Sequence, residues 1–93
     1  MSKKEIVLMN SEERLDRSSV SAFLRELADK LDTGTITLKQ AGEQLDLEVP
    51  EQVVLEVKAE EETKSKGTQR SLEIEIEWML GDGDFAKQGI TLG

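Results

Sequence analysis

The 93-residue chain contains no cysteine, no histidine and no tyrosine, and only one tryptophan, two phenylalanines and one proline. Each absence removes a kind of chemistry. Without cysteine there is no disulfide, no thiolate metal ligand and no thiol nucleophile, a pattern that fits a reducing compartment. Without histidine no imidazole is present to move a proton near neutral pH. Ser18 and Ser19 therefore have no activating base, since Lys30 lies about three helical turns further on. Three aromatic residues are too few to wall a glycoside cleft or to build a base-stacking surface. No apolar run approaches the ~18 residues of a membrane helix. The run from Ile6 to Met9 behind Met1-Ser2-Lys3-Lys4 is also too short for the core of a signal peptide. The expectation is a small cytoplasmic protein of one domain, with no membrane association, no cofactor and no metal.

Acidic residues are what the chain has in excess, 20 against 12 basic ones, for a formal charge of −8. Such a field repels phosphate backbones and attracts basic partners and divalent cations. Nucleic acid is disfavoured as a partner, because Lys64, Lys66 and Arg70 make only a small basic spot beside Glu60, Glu61 and Glu62. A basic protein suits the charge better.

Hydrophobic patterning supplies the elements. Glu5-Ile6-Val7-Leu8-Met9 reads as a first strand whose inward face is left open by its weak alternation. Asp16 stands where an N-cap would accept hydrogen bonds from the first amides of a helix, with Leu15 and Val20 at the positions of a hydrophobic staple. Val20, Phe23, Leu24, Leu27, Ala28 and Leu31 then recur at spacings of three and four, one apolar stripe, and Gly34 is placed to end the helix. From Thr35 the period falls to two. A two-residue turn at Ala41-Gly42 sets Leu38 opposite Leu45 and Ile36 opposite Leu47. Pro50-Glu51 marks another turn, and Val53, Leu55, Val57 and Ala59 share the next inward face.

The polar run from Glu60 to Arg70 forms the tip of a long hairpin, turning either at Ser65-Lys66 or at Lys66-Gly67. Its return strand, Ser71-Leu72-Glu73-Ile74-Glu75-Ile76-Glu77-Trp78, alternates apolar and acidic residues without a break. Strand, helix and four strands joined by short turns predict an α+β domain of two layers, one amphipathic helix on a mostly antiparallel sheet of about five strands. The domain spans residues 1–78, with Trp78, Leu72, Ile74, Ile76, Leu24, Leu27 and Leu31 in its core, and 79–93 is a Gly-rich tail.

The strand ending in Trp78 resembles that of the amphi-Trp domain, a small bacterial and archaeal family named for an amphipathic strand closed by tryptophan. Leu15-Asp16-Arg17, Leu24-Arg25-Glu26-Leu27-Ala28-Asp29 and Leu47-Glu48-Val49-Pro50 fit the same resemblance in order and spacing. It runs from about residue 5 to residue 78 and leaves the tail beyond the family's usual end. Ser18-Ser19 departs from the family pattern, where acidic residues would complete a capping box. The resemblance implies a domain of unknown function and no enzyme class.

One surface is a candidate site. Glu73, Glu75 and Glu77 fall on the outward face of the last strand, and Glu56, Glu48 and Asp46 extend it if their strands are neighbours. Such a face either docks a basic partner or keeps a sheet soluble and its edge unpaired. The alternative is a small acid–base enzyme, hydrolase-like, using a carboxyl such as Glu56 or Glu75 with a raised pKa, which requires burial or close like charge. Asp82-Gly83-Asp84 has the opening of a calcium loop but lacks its remaining ligands. The sequence leaves the oligomeric state open, with a monomer the plainer expectation. Val54 is a single outward apolar residue of an ordinary kind.

Overall fold

The computed structural model describes residues 4–81 and 92. Among the described residues one helix, α1 (Arg17–Thr33), precedes four strands, β1 (Thr35–Gln40), β2 (Glu43–Glu48), β3 (Val54–Lys64) and β4 (Gly67–Glu77). The fold is α+β with antiparallel strands, but the strands form two separate two-stranded sheets, β1–β2 and β3–β4, in place of one sheet of five. Two compact units result, Met1–Val49 and Pro50–Gly93.

In the first unit α1 packs on β1. Asp16 occupies the N-cap position with extended backbone (φ −67°, ψ 148°), yet its carboxylate makes no capping hydrogen bond. Instead the Asp16 carbonyl accepts from the amides of Ser19 and Val20 at 3.0 and 3.2 Å. This helix end is exposed, so water can serve the free amides that a carboxylate would otherwise take. At the other end Gly34 adopts the left-handed conformation (φ 87°) and its amide bonds the Leu31 carbonyl. Its own carbonyl accepts from the Val49 amide at 2.8 Å, which ties the start of β1 to the residue after β2.

The β1–β2 register pairs Leu38 with Leu45 and Ile36 with Leu47, as the alternation predicts. Ala41 and Gly42 both have positive φ, 48° and 84°, the signature of a type I′ turn. Ile36, 8% exposed, is the most protected hydrophobic residue described. Leu27 and Leu31 from the helix and Leu38, Leu45, Leu47 and Val49 from the hairpin are half-buried, while Leu24 is more open at 45%. The small hairpin is narrower than the helix stripe, so only the stripe's C-terminal part gains cover from β1–β2.

Residues 5–9 form no strand. Ile6, Val7 and Leu8 are exposed in an irregular segment, held to the hairpin where the Gln40 Nε2 donates to the Asn10 carbonyl at 2.8 Å. β-branched residues favour strands only when a ladder partner and a buried face exist. Weak alternation supplies neither, and the expected first strand is absent.

In the second unit β3 and β4 pair over their full length with the turn at Ser65-Lys66. One face carries Leu55, Val57, Ala59, Leu72, Ile74 and Ile76; Ile76 is half-buried and the other five are exposed. Trp78, just past β4, is half-buried. A two-stranded ribbon has no second layer of its own with which to bury such a face. The expected tail falls outside the described residues apart from Met79, Leu80, Gly81 and Leu92, and Asp82-Gly83-Asp84 lies wholly outside them.

Candidate functional site

Strand alternation places Glu56, Lys58, Glu60, Glu62 and Lys64 of β3 on the same face as Glu73, Glu75 and Glu77 of β4. Six carboxylates meet two ammonium groups there, and cross-strand pairing decides how they are distributed. Lys58 stands opposite Glu73, and its Nζ lies 3.5 Å from Glu73 and 3.7 Å from Glu60. The two carboxylates, Glu60 foremost, hold the Lys58 ammonium above its ordinary pKa. Lys64 lies 3.8 Å from Glu62. Toward the tip, then, the face is largely neutralised by its own lysines.

The other end of the face differs. Glu56 stands directly opposite Glu75, with Glu77 two residues along β4 opposite Val54. A hydrogen bond shared with Glu56 is the main reason the Glu75 carboxyl is raised above the usual glutamate value, and the Glu77 charge is the next. Like charges placed directly opposite repel, which is the physical sense of the upward shift at Glu75. The pair is open to solvent on a strand face, without the burial that would tune an acid strongly.

Asp46 and Glu48 do not belong to this sheet: among the described residues β2 pairs with β1 and not with β3 or β4. Their carboxylates are engaged locally: Thr37 Oγ1 donates to Asp46 Oδ1 at 2.8 Å, Gln44 Nε2 to the same oxygen at 3.3 Å, and Thr35 Oγ1 to Glu48 Oε2 at 3.1 Å. Four of the six expected acidic residues, Glu56, Glu73, Glu75 and Glu77, thus share one ribbon face. Glu60, Glu62 and the central Lys58 join them, residues that the reading of outward acids passed over.

Cross-strand charge was the signal that could have placed Lys58. A turn at Ser65-Lys66 pairs Lys58 with Glu73 and Glu61 with Arg70, whose Nε donates to Glu61 Oε1 at 2.8 Å on the opposite face. A turn at Lys66-Gly67 would oppose Glu60 to Glu73 and Glu56 to Glu77, two like-charge pairs against the single one observed.

Near the tip a depression of about 380 Å³ is lined by Glu60, Glu61, Glu62, Gln69 and Ser71. Its lining is polar throughout, which suits cations or water and not an apolar ligand. Among the described residues no group of three or more acidic side chains is arranged to hold a metal ion. Among them, too, no helix is long and apolar enough to cross a membrane.

Neither the curated proteins nor the solved structures contain a match to this sequence. The model of one family does match, over residues 1–92. That span takes in the segment after Trp78, which therefore belongs to the family's pattern and does not lie beyond its end. With its amphipathic strand closed by Trp78, the chain belongs to the Amphi-Trp domain family.

Proposed function

We propose that the protein is a non-catalytic, cytoplasmic interaction module that docks a basic protein segment on the outward face of the β3–β4 hairpin. The observation that carries this reading is the Glu56–Glu75 opposition with Glu77 beside it. These acids stand together at the end of the face away from Lys64 and Glu62, and a cationic side chain set between them relieves a repulsion that the free protein must tolerate. Lys58, satisfied by Glu60 and Glu73, confines the unneutralised charge to one end of the ribbon. Docking of this kind is steered by charge and weakens with salt.

The test is retention of proteins from native lysate at low salt by the tagged wild type and by a variant carrying Glu73→Lys, Glu75→Lys and Glu77→Lys, first shown to be folded by circular dichroism. A basic protein retained by the wild type, released by salt and lost from the variant supports the reading. Equal retention by both proteins, or none by either, refutes it.

The raised pKa of Glu75 is the one observation that favours a small acid–base enzyme. An exposed ribbon face gives such an acid no enclosed place to hold a substrate. The docking reading asks less of the same residues.

A further inference from the structure

We propose that the directly opposed Glu56–Glu75 pair is an acid-strengthened contact within the β3–β4 hairpin, one whose own contribution to holding the strands together grows as the pH falls. The geometry comes first. The two residues are cross-strand partners in the ladder, on the polar face of the ribbon. The charged groups around them on that face are Lys58 on β3 and Glu73 and Glu77 on β4. Lys58 is the one cation among these; its ammonium pairs with Glu60 and Glu73 and is attracted more weakly to Glu56. Glu77 faces Val54 and adds negative charge with no compensation. Closing the ladder therefore brings two carboxylates together beside a third, whereas opening it lets them separate into water.

Protonation changes the sign of that contact. With one proton between them, a carboxyl of the pair donates to the other and a repulsion becomes a hydrogen bond. The direction of the Glu75 shift agrees: in the folded chain it holds its proton above the ordinary glutamate value of 4.5. A carboxyl with a raised folded pKa binds protons more readily folded than unfolded. Its contribution is complete below the unfolded value and is lost as the pH rises through the folded one. Carboxylates held by cations behave in the opposite way, so this pair runs against the acid weakening common in proteins.

The test is amide hydrogen exchange by NMR on the full chain, corrected for intrinsic rates, between about pH 7 and pH 4, a range that spans glutamate titration. The amides of β3 and β4 are followed in the wild type, in Glu56→Gln, in Glu75→Gln and in the double variant. Glutamine keeps the size and hydrogen-bonding capacity of the side chain, and every other charge is common to all four proteins. The opening constant of the wild-type hairpin relative to Glu75→Gln is expected to fall roughly two- to five-fold on acidification, the range of a cross-strand pair. At pH 7 either single variant is already tighter than the wild type, and the double variant adds little.

A second readout follows the Glu75 carboxyl carbon directly: its titration moves down toward the ordinary value in Glu56→Gln. The proposal is overturned if wild type and Glu75→Gln show the same pH slope. It is equally overturned if the Glu75 titration is unmoved by Glu56→Gln.

Discussion

Ala41 is a residue that the hairpin carries at a cost, and replacing it should stabilise the protein. It opens the type I′ turn between β1 and β2 with φ 48°, the left-handed region, where an L side chain crowds its own carbonyl. That crowding costs roughly 1 to 2 kcal/mol at alanine. Glycine removes it but adds unfolded-chain freedom worth roughly 0.4 to 1 kcal/mol. The net expectation for Ala41→Gly is therefore a gain of about 0.5 to 1 kcal/mol. Ala41→Asn should gain a similar ~0.5 to 1 kcal/mol, since Asn-Gly is the preferred pair for this turn and asparagine adds less unfolded freedom. Its neighbour gives the opposite sign. At Gly42 (φ 84°) an added Cβ meets nothing within 4 Å, so the cost of Gly42→Ala is conformational alone, ~1 kcal/mol.

The assay is urea unfolding followed by helical circular dichroism, which reports α1 and so the unit containing the turn, with Trp78 fluorescence reporting the other unit. For a slope near 1.5 kcal/mol/M, Ala41→Asn should raise the midpoint by roughly 0.3 to 0.7 M in the helical signal, with the slope unchanged. Destabilisation by Ala41→Asn, or a neutral Gly42→Ala, would refute the turn assignment and the register built on it.

Gly34→Ala should cost about 1 kcal/mol, because the left-handed φ of 87° is strained for alanine while the nearest atom, the Val49 carbonyl oxygen at 3.8 Å, leaves room; a thermal or urea midpoint measures it. Ile36→Val should cost ~0.5 to 1.5 kcal/mol and Ile36→Ala at least ~2 kcal/mol, more than Leu72→Ala, since Leu72 is 68% exposed and Ile36 is 8%. Equal losses at the two sites would contradict the placement of the core. Lys58, held above its ordinary pKa by Glu60 and then Glu73, keeps its ion pairs through neutral pH and loses them as the pH rises through its raised value, which side-chain NMR titration would follow. Lys58→Gln should also strengthen salt-sensitive capture of a basic peptide severalfold, as measured by calorimetry at two ionic strengths.

Much of the local structure was legible because its signals are short in range. The Ala41-Gly42 turn and the alternating leucines lie within a dozen residues of one another, and a one-residue slip there would turn every apolar side chain outward. Gly34 ended the helix for a reason carried by a single residue, its freedom to adopt positive φ. The first strand was misread because Ile6-Val7-Leu8-Met9 has composition without alternation. The candidate site was half legible. Alternation assigned Glu73, Glu75 and Glu77 to one face, but Asp46 and Glu48 could extend it only if β2 and β3 were paired in one sheet, and they belong to two separate sheets.

From the sequence alone came the helix, the β1–β2 register, the two faces of each strand and the acidity of one of them, since all follow from period and turn chemistry along the chain. The tertiary structure alone decided that the strands pair as two ribbons, and it selected the Ser65-Lys66 turn that alternation leaves open. The two possible turns differ by a shift of two residues in pairing, which leaves every side chain on the same face, so a period-two pattern cannot distinguish them. What separates them is which charges meet across the ladder, Lys58 with Glu73 and Glu56 with Glu75, a property of the pair of strands that the pattern of neither strand carries by itself.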